Sequence, residues 1–117
     1  MSADFVQNYG IAVLVLAFLG WRFLRFRGVK KALPELLKRG AVVVDVRSPE
    51  EFRSGSSPGS VNIPLGELER NLSRLDPAKP VVVCCASGAR SAAASAILKK
   101  HGFQIVLNAG PWTNTAV

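Results

Sequence analysis

Histidine is nearly missing from this sequence: His101 is the single one among 117 residues. Cysteine is scarce as well, and its two copies, Cys84 and Cys85, are adjacent. One histidine and two neighbouring cysteines cannot assemble a Cys/His zinc set within the chain. Adjacent cysteines are also poor disulfide partners, because the bond closes a small strained ring, and small secreted folds carry more and better-spaced pairs. Reduced thiols in a reducing compartment are the expectation, and nothing calls for a metal or a cofactor. Internal repeats and low-complexity segments are absent too, which leaves one ordinary folded domain with an appendage.

The net charge of +7 is unevenly placed. Residues 1–39 hold seven basic and two acidic residues, giving +5, whereas residues 40–117 hold eight and six, giving +2. The basic excess therefore belongs to one short segment. A nucleic-acid binder would spread a basic face with interleaved aromatics or carry a known motif, and the second half has neither, so no nucleic-acid partner is expected.

That basic segment follows an apolar one. Ile11 to Trp21, IAVLVLAFLGW, contains no charged residue, and apolar character runs from Phe5 to Phe26, broken by Gln7, Asn8, Arg22 and Arg25. A bilayer core takes about 20 helical residues, and arginines near a helix end snorkel to the interface. Tyr9 and Trp21 suit the interfacial aromatic belts. A cleaved signal peptide has a basic start, whereas this chain opens with Asp4 and places arginines after the apolar run. The reading is a single-pass anchor over residues 1–29, with its span at about 5–26. Gly28 to Lys31 is then a basic juxtamembrane linker able to touch lipid headgroups. The positive-inside rule puts the remainder, residues 30–117, in the cytoplasm. A buried or interfacial helix is the alternative.

Beyond residue 30 two periodicities alternate. Pro34 to Arg39 reads as a short helix with Pro34 in its first turn, and Ala41 to Val46 as a strand covered on both faces. Ser48-Pro49-Glu50-Glu51 has capping-box spacing. Val61 to Pro64 is a short strand, and Leu65, Leu68, Leu72 and Leu75 repeat at helical spacing. Val81 to Cys84 is a second core strand, Ser91 to Lys100 an alanine-rich helix, and Gln104 to Leu107 a third strand before a Gly-Pro turn. This order predicts an α/β fold, a parallel sheet wrapped by helices, preceded by one transmembrane helix.

In such sheets, ligands bind beyond the carboxyl ends of the strands. Cys85 sits there, opening the small-residue loop Ala86-Ser87-Gly88-Ala89-Arg90. Small residues let backbone N–H groups converge on one point. Those groups, the following helix N-terminus and Arg90 are expected to form an anion site that also favours a thiolate. Cys84, by strand alternation, points into the packing as a small hydrophobe.

Five pieces then occur in one order: Val44-Asp45-Val46-Arg47, Pro49-Glu50-Glu51-Phe52, Gly55 with Pro58-Gly59-Ser60-Val61-Asn62-Ile63-Pro64, VVVCCASGARS, and Asn108-Ala109-Gly110-Pro111-Trp112. Together they resemble a single-domain rhodanese over about residues 30–115. The resemblance implies a thiosulfate sulfurtransferase with Cys85 as catalytic nucleophile and Ala86, Ser87, Gly88, Ala89 and Arg90 as its substrate-binding loop. It implies a sulfane sulfur passing from thiosulfate or a persulfide donor through a Cys85 persulfide to a thiophilic acceptor. Cys85 to Arg90 is C-x4-R, as in sulfurtransferases, and not the C-x5-R of the related phosphatases and arsenate reductases. Two positions depart from the family pattern: Ala86, where relatives often carry a basic residue, and Ser56, where they often carry histidine. A non-catalytic rhodanese-like module that recruits a partner at the membrane is the competing reading. Among other residues, Asp45 and Arg47 suit a structural ion pair, Ser87 and Ser91 loop or cap hydrogen bonds, His101 an exposed helix end and Trp112 packing.

Overall fold

A computed structural model describes residues 3–116, with side chains from Val6 onward. Met1, Ser2 and Val117, which fall within the expected segments 1–29 and 30–117, lie outside the described residues, as does the side chain of Asp4.

Helix α1 (Ala3–Phe26) is long and apolar enough to cross a membrane by length and composition. Its large apolar residues from Val6 to Leu24, among them Ile11, Leu14, Leu16 and Leu24, are exposed. Two residues later α2 (Val29–Lys38) begins. The expected linker Gly28–Lys31 is thus mostly helix. Ala32 N–H bonds the Gly28 carbonyl at 3.0 Å, and Val29 and Leu33, one turn apart, bury against the sheet. Pro34 accordingly sits inside this helix and not in its first turn.

The sheet comprises β1 (Val42–Asp45), β2 (Val61–Asn62), β3 (Val81–Cys85) and β4 (Val106–Pro111), all parallel, in the order β2-β1-β3-β4. Between them lie α3 (Pro49–Ser54), entered through the Ser48/Glu51 capping box, and α4 (Ala89–Lys100). β4 runs on through the expected Gly-Pro turn to Pro111, because a register shift at Val83/Cys84 lets Cys84 pair with Gly110 and Cys85 with Pro111.

The leucine-spaced segment forms two 3-10 pieces, Leu65–Glu67 and Glu69–Arg74, in place of one α-helix. Asn71 explains the break. Its side-chain amide takes the Glu67 carbonyl at 2.8 Å, the bond its own N–H would make in an α-helix, and that N–H goes to Leu68 instead. The expected leucines still face inward, Leu68 fully and Leu75 nearly so.

Strand alternation divides the core. Val44, Val46, Val81, Val83 and Cys85 pack with Ala94 and Leu98 of α4, while Val43, Val82 and Cys84 pack with Val29, Leu33 and Trp112. The two cysteines thus enter different layers.

Candidate active site

β1 and β3 are central neighbours, with Asp45 registered against Cys84, so the segments leaving them share one end of the sheet. Beside β1 stands a buried ion pair. Arg47 Nη2 lies 2.7 Å from Asp45 Oδ2, and Arg47 Nε lies 2.9–3.0 Å from both carboxylate oxygens. The same guanidinium donates to the carbonyls of Gly55 at 2.7 Å and Glu51 at 3.3 Å, and stacks 4.9 Å from the Trp112 ring centroid. Asn62 Nδ2 bonds the Asp45 and Arg47 carbonyls. This network ties β1, β2, α3 and the chain end together, and hydrogen bonding to Asp45 raises the Arg47 pKa.

Cys85, the last residue of β3, is fully buried. Gly88 reaches back over it: its φ of +111°, open to glycine at little cost, aims its N–H at Cys85 Sγ, 2.9 Å away. Ser91 Oγ lies 3.4 Å from the sulfur, 2.7 Å from Asn108 Oδ1 and 3.1 Å from the Gly88 carbonyl. Asn108 Oδ1 also accepts the Gly110 N–H at 3.0 Å. Burial pushes the Cys85 thiol up. The Ser91 hydroxyl and the backbone N–H groups of Ser91, Gly88 and Ser87 together outweigh that push, so its pKa falls below the ordinary thiol value.

Cys84, one residue earlier, has the opposite setting. Burial, followed by the charge of Asp45, pushes its thiol up to about 12, and the Thr115 hydroxyl and Arg47 offset only part of that. It is neutral at any physiological pH.

Ala86, Ser87 and Ala89 are exposed and Gly88 is buried, which leaves Arg90 as the loop's single charge. Its guanidinium faces Glu51: Nη1–Oε1 is 2.7 Å and Nη2–Oε2 is 2.9 Å. Glu51 also receives the Ser48 N–H, and chiefly through Arg90 its pKa is held down to about 2. Spacing alone expected Arg90 to serve an anion; in the structure its terminal nitrogens fasten the α4 end to α3. The arrangement differs because Glu51 has two jobs, N3 of the capping box and partner of Arg90, and only the first has a local signature.

Three contributors escape a reading of local pattern. Glu51 is one. Asn108 is another, although it lay within a motif; its Nδ2 is buried without a partner among the described residues. The third is Phe26 at the end of α1, whose ring rests on Gly88 and Gly110. Among the described residues no group of three or more His, Cys, Asp or Glu side chains converges on a metal site. Chemically, the cradle around Cys85 favours a thiolate, and its donors also suit a negative charge borne by an atom attached to that sulfur.

Comparison with known proteins agrees with this geometry. The rhodanese-like domain model matches residues 29–114. Over 71 residues the chain is 39% identical to the thiosulfate sulfurtransferase GlpE of Pseudomonas syringae, covering 61% of this chain and 67% of that protein. It is 40% identical over 75 residues to the putative sulfur carrier protein YrkF of Bacillus subtilis, covering 61% of this chain but only 40% of that protein. The crystal structure of a rhodanese-related protein from Thermoplasma volcanium superposes with a TM-score of 0.64 at 38% identity, over 74% of this chain and 85% of that one.

Proposed function

Because this chain belongs to the rhodanese-like family, we propose that it is a membrane-anchored sulfurtransferase whose Cys85 carries the transferred sulfur. Relatives named as sulfurtransferases and as a sulfur carrier support the class of reaction. The observation that carries the residue assignment is the cradle: Gly88 N–H at 2.9 Å and Ser91 Oγ at 3.4 Å from a thiol whose pKa they help to depress.

The reaction divides into two displacements. Cys85 thiolate attacks the sulfane sulfur of a donor such as thiosulfate. A new S–S bond forms, the bond to the sulfonate breaks, and its electron pair leaves with sulfite. The charge then rests on the outer sulfur of a Cys85 persulfide, held by the N–H groups of the loop 86–90. A nucleophilic acceptor, cyanide in an assay or a thiol in the cell, attacks that sulfur, and Cys85 thiolate departs. Residues 1–29 act as the anchor and short basic connection, residues 30–117 as the catalytic domain. The basic flank after α1 supports a cytoplasmic side for that domain.

The full chain in detergent, incubated with thiosulfate, polysulfide or glutathione persulfide, is expected to gain one sulfur by intact mass. The gain disappears in Cys85→Ala and persists in Cys84→Ala. No gain from any of the three donors would sink the catalytic reading in favour of a recruiting module. A reporter fused to the C-terminus decides the side of the membrane, and a periplasmic or extracellular signal refutes the orientation.

A further inference from the structure

Residues 86–89 have uncharged side chains, and Arg90 spends its terminal nitrogens on Glu51. The loop therefore offers an approaching anion backbone dipoles but no free cation. Cations do stand against it, on a different element. Phe26 seats α1 on the loop so closely that a Cβ at Gly110 would fall 2.8–2.9 Å from its ring, and one at Gly88 3.1 Å. Between the last turns of α1 and residues 87–89 this leaves a cavity of about 260 Å³, whose walls include Trp21, Arg22, Arg25 and Gly88.

Two arginines of α1 stand on the walls of this cavity. The Arg25 guanidinium lies 5.3 Å from the Trp21 ring centroid and 5.4 Å from that of Phe26, so aromatic faces hold it in place of a carboxylate. Arg22 is half-buried, and also lines a second cavity of about 520 Å³ with Arg27 and Lys30. Among the described residues the ion pairs lie elsewhere, at Arg47, Arg53, Arg70 and Arg90, and neither Arg22 nor Arg25 has one. Unpaired guanidinium groups against apolar walls attract an anion more strongly than groups in open water. Gly88 belongs to both places: it lines this cavity, and its N–H touches Cys85 Sγ.

We propose that this cavity is an oxyanion site, built jointly by α1 and the thiol loop, that captures the charged end of an incoming sulfur donor beside Cys85. The donor role rests on the sulfurtransferase reading; the anion site does not. Its chemistry is an oxyanion against an aromatic wall. The sulfonate of thiosulfate, the carboxylates of a small persulfide and the phosphate of an acidic lipid share that chemistry.

The test uses the full chain in phosphatidylcholine nanodiscs. In Cys85→Ala protein, titration with sulfate is expected to change tryptophan fluorescence saturably, through Trp21. The change should vanish in the added double variant Arg22→Gln/Arg25→Gln and survive in Arg22→Lys/Arg25→Lys. Loss of the response together with helix content by circular dichroism would not count; charge reversal at Arg25 alone, with helix content intact, must also abolish it. In the protein with Cys85 present, the glutamine variant is expected to load sulfur from thiosulfate at least about tenfold more slowly, since the loss of even one hydrogen bond to a charged group is of that size. Alkylation by neutral iodoacetamide should not change. Discs containing phosphatidylglycerol separate the sources: a slowing confined to protein with both arginines shows lipid phosphate competing for the same site. Equal sulfate response in both proteins, or an equal fall in alkylation, overturns the proposal. Loading absent with every donor while the sulfate response persists would remove the sulfurtransferase reading and leave the anion site standing.

Discussion

Cys84 and Cys85 are chemically identical, adjacent and both buried, yet the two faces of β3 give them opposite chemistry. The α4 face surrounds Cys85 with hydrogen-bond donors and lowers its pKa. The opposite face surrounds Cys84 with apolar side chains and the Asp45 carboxylate, and raises its pKa to about 12. Burial penalises an anion in both places. What separates them is whether convergent N–H groups replace the water that burial removed. A β-strand makes that contrast available to neighbouring residues because its side chains alternate.

The contrast breaks first if the two thiols react alike. At neutral pH a thiol of pKa about 12 has roughly a thousandth of the thiolate of an ordinary one. Because the rarer thiolate is also the more nucleophilic one, part of that difference is offset, and iodoacetamide on the native protein should label Cys85 more than about tenfold faster than Cys84, as read by peptide mass mapping. Comparable rates would show that the faces do not differ as described.

A second probe is stability at alkaline pH. Cys84 has a folded pKa raised above its ordinary value of 9.0, so its contribution is full below that value and is lost as pH rises towards about 12. The loss from this residue is up to about 4 kcal/mol. Cys85, with a depressed folded pKa, has the opposite sign: its contribution is present above the ordinary thiol value and fades as pH falls. Thermal unfolding from pH 8 to 11 should fall more steeply for the unaltered protein than for Cys84→Ala. Parallel curves would discard the Cys84 assignment.

The finest probe is Ser91→Ala. It removes the hydroxyl between Cys85 Sγ and Asn108 while leaving the Gly88 N–H in place. The pH profile of Cys85 alkylation should move upward, with the rate near pH 6 falling about tenfold. An unchanged profile would assign the whole depression to backbone donors.

Much of this arrangement is legible in sequence where the signal is local. The β-branched run at Val42–Val44, the Ser48/Glu51 capping box, the helix after Gly88 and the opposite facing of the two cysteines all follow from spacing. What is not legible is partnership at a distance. Arg90 meets Glu51 across 39 positions, and nothing beside either residue announces the other. Phe26 looks like one more apolar residue in an apolar helix, although its seat exists only because positions 88 and 110 lack a Cβ. Asn71 stops a well-patterned helix by a side-chain bond that periodicity does not weigh.

Only Arg27 and Gly28 separate α1 from α2, and they are flanked by Phe26 on the loop and Val29 in the core. Two residues span about 7 Å at most, so the domain has no tether on which to roam. If α1 lies across a bilayer, the thiol loop is held at one height and one azimuth above the lipid surface, as a stylus is held above a disc. Reach is then forfeited and search is confined to a plane: on the sulfurtransferase reading, whatever takes sulfur from Cys85 must travel in, or stoop to, that layer.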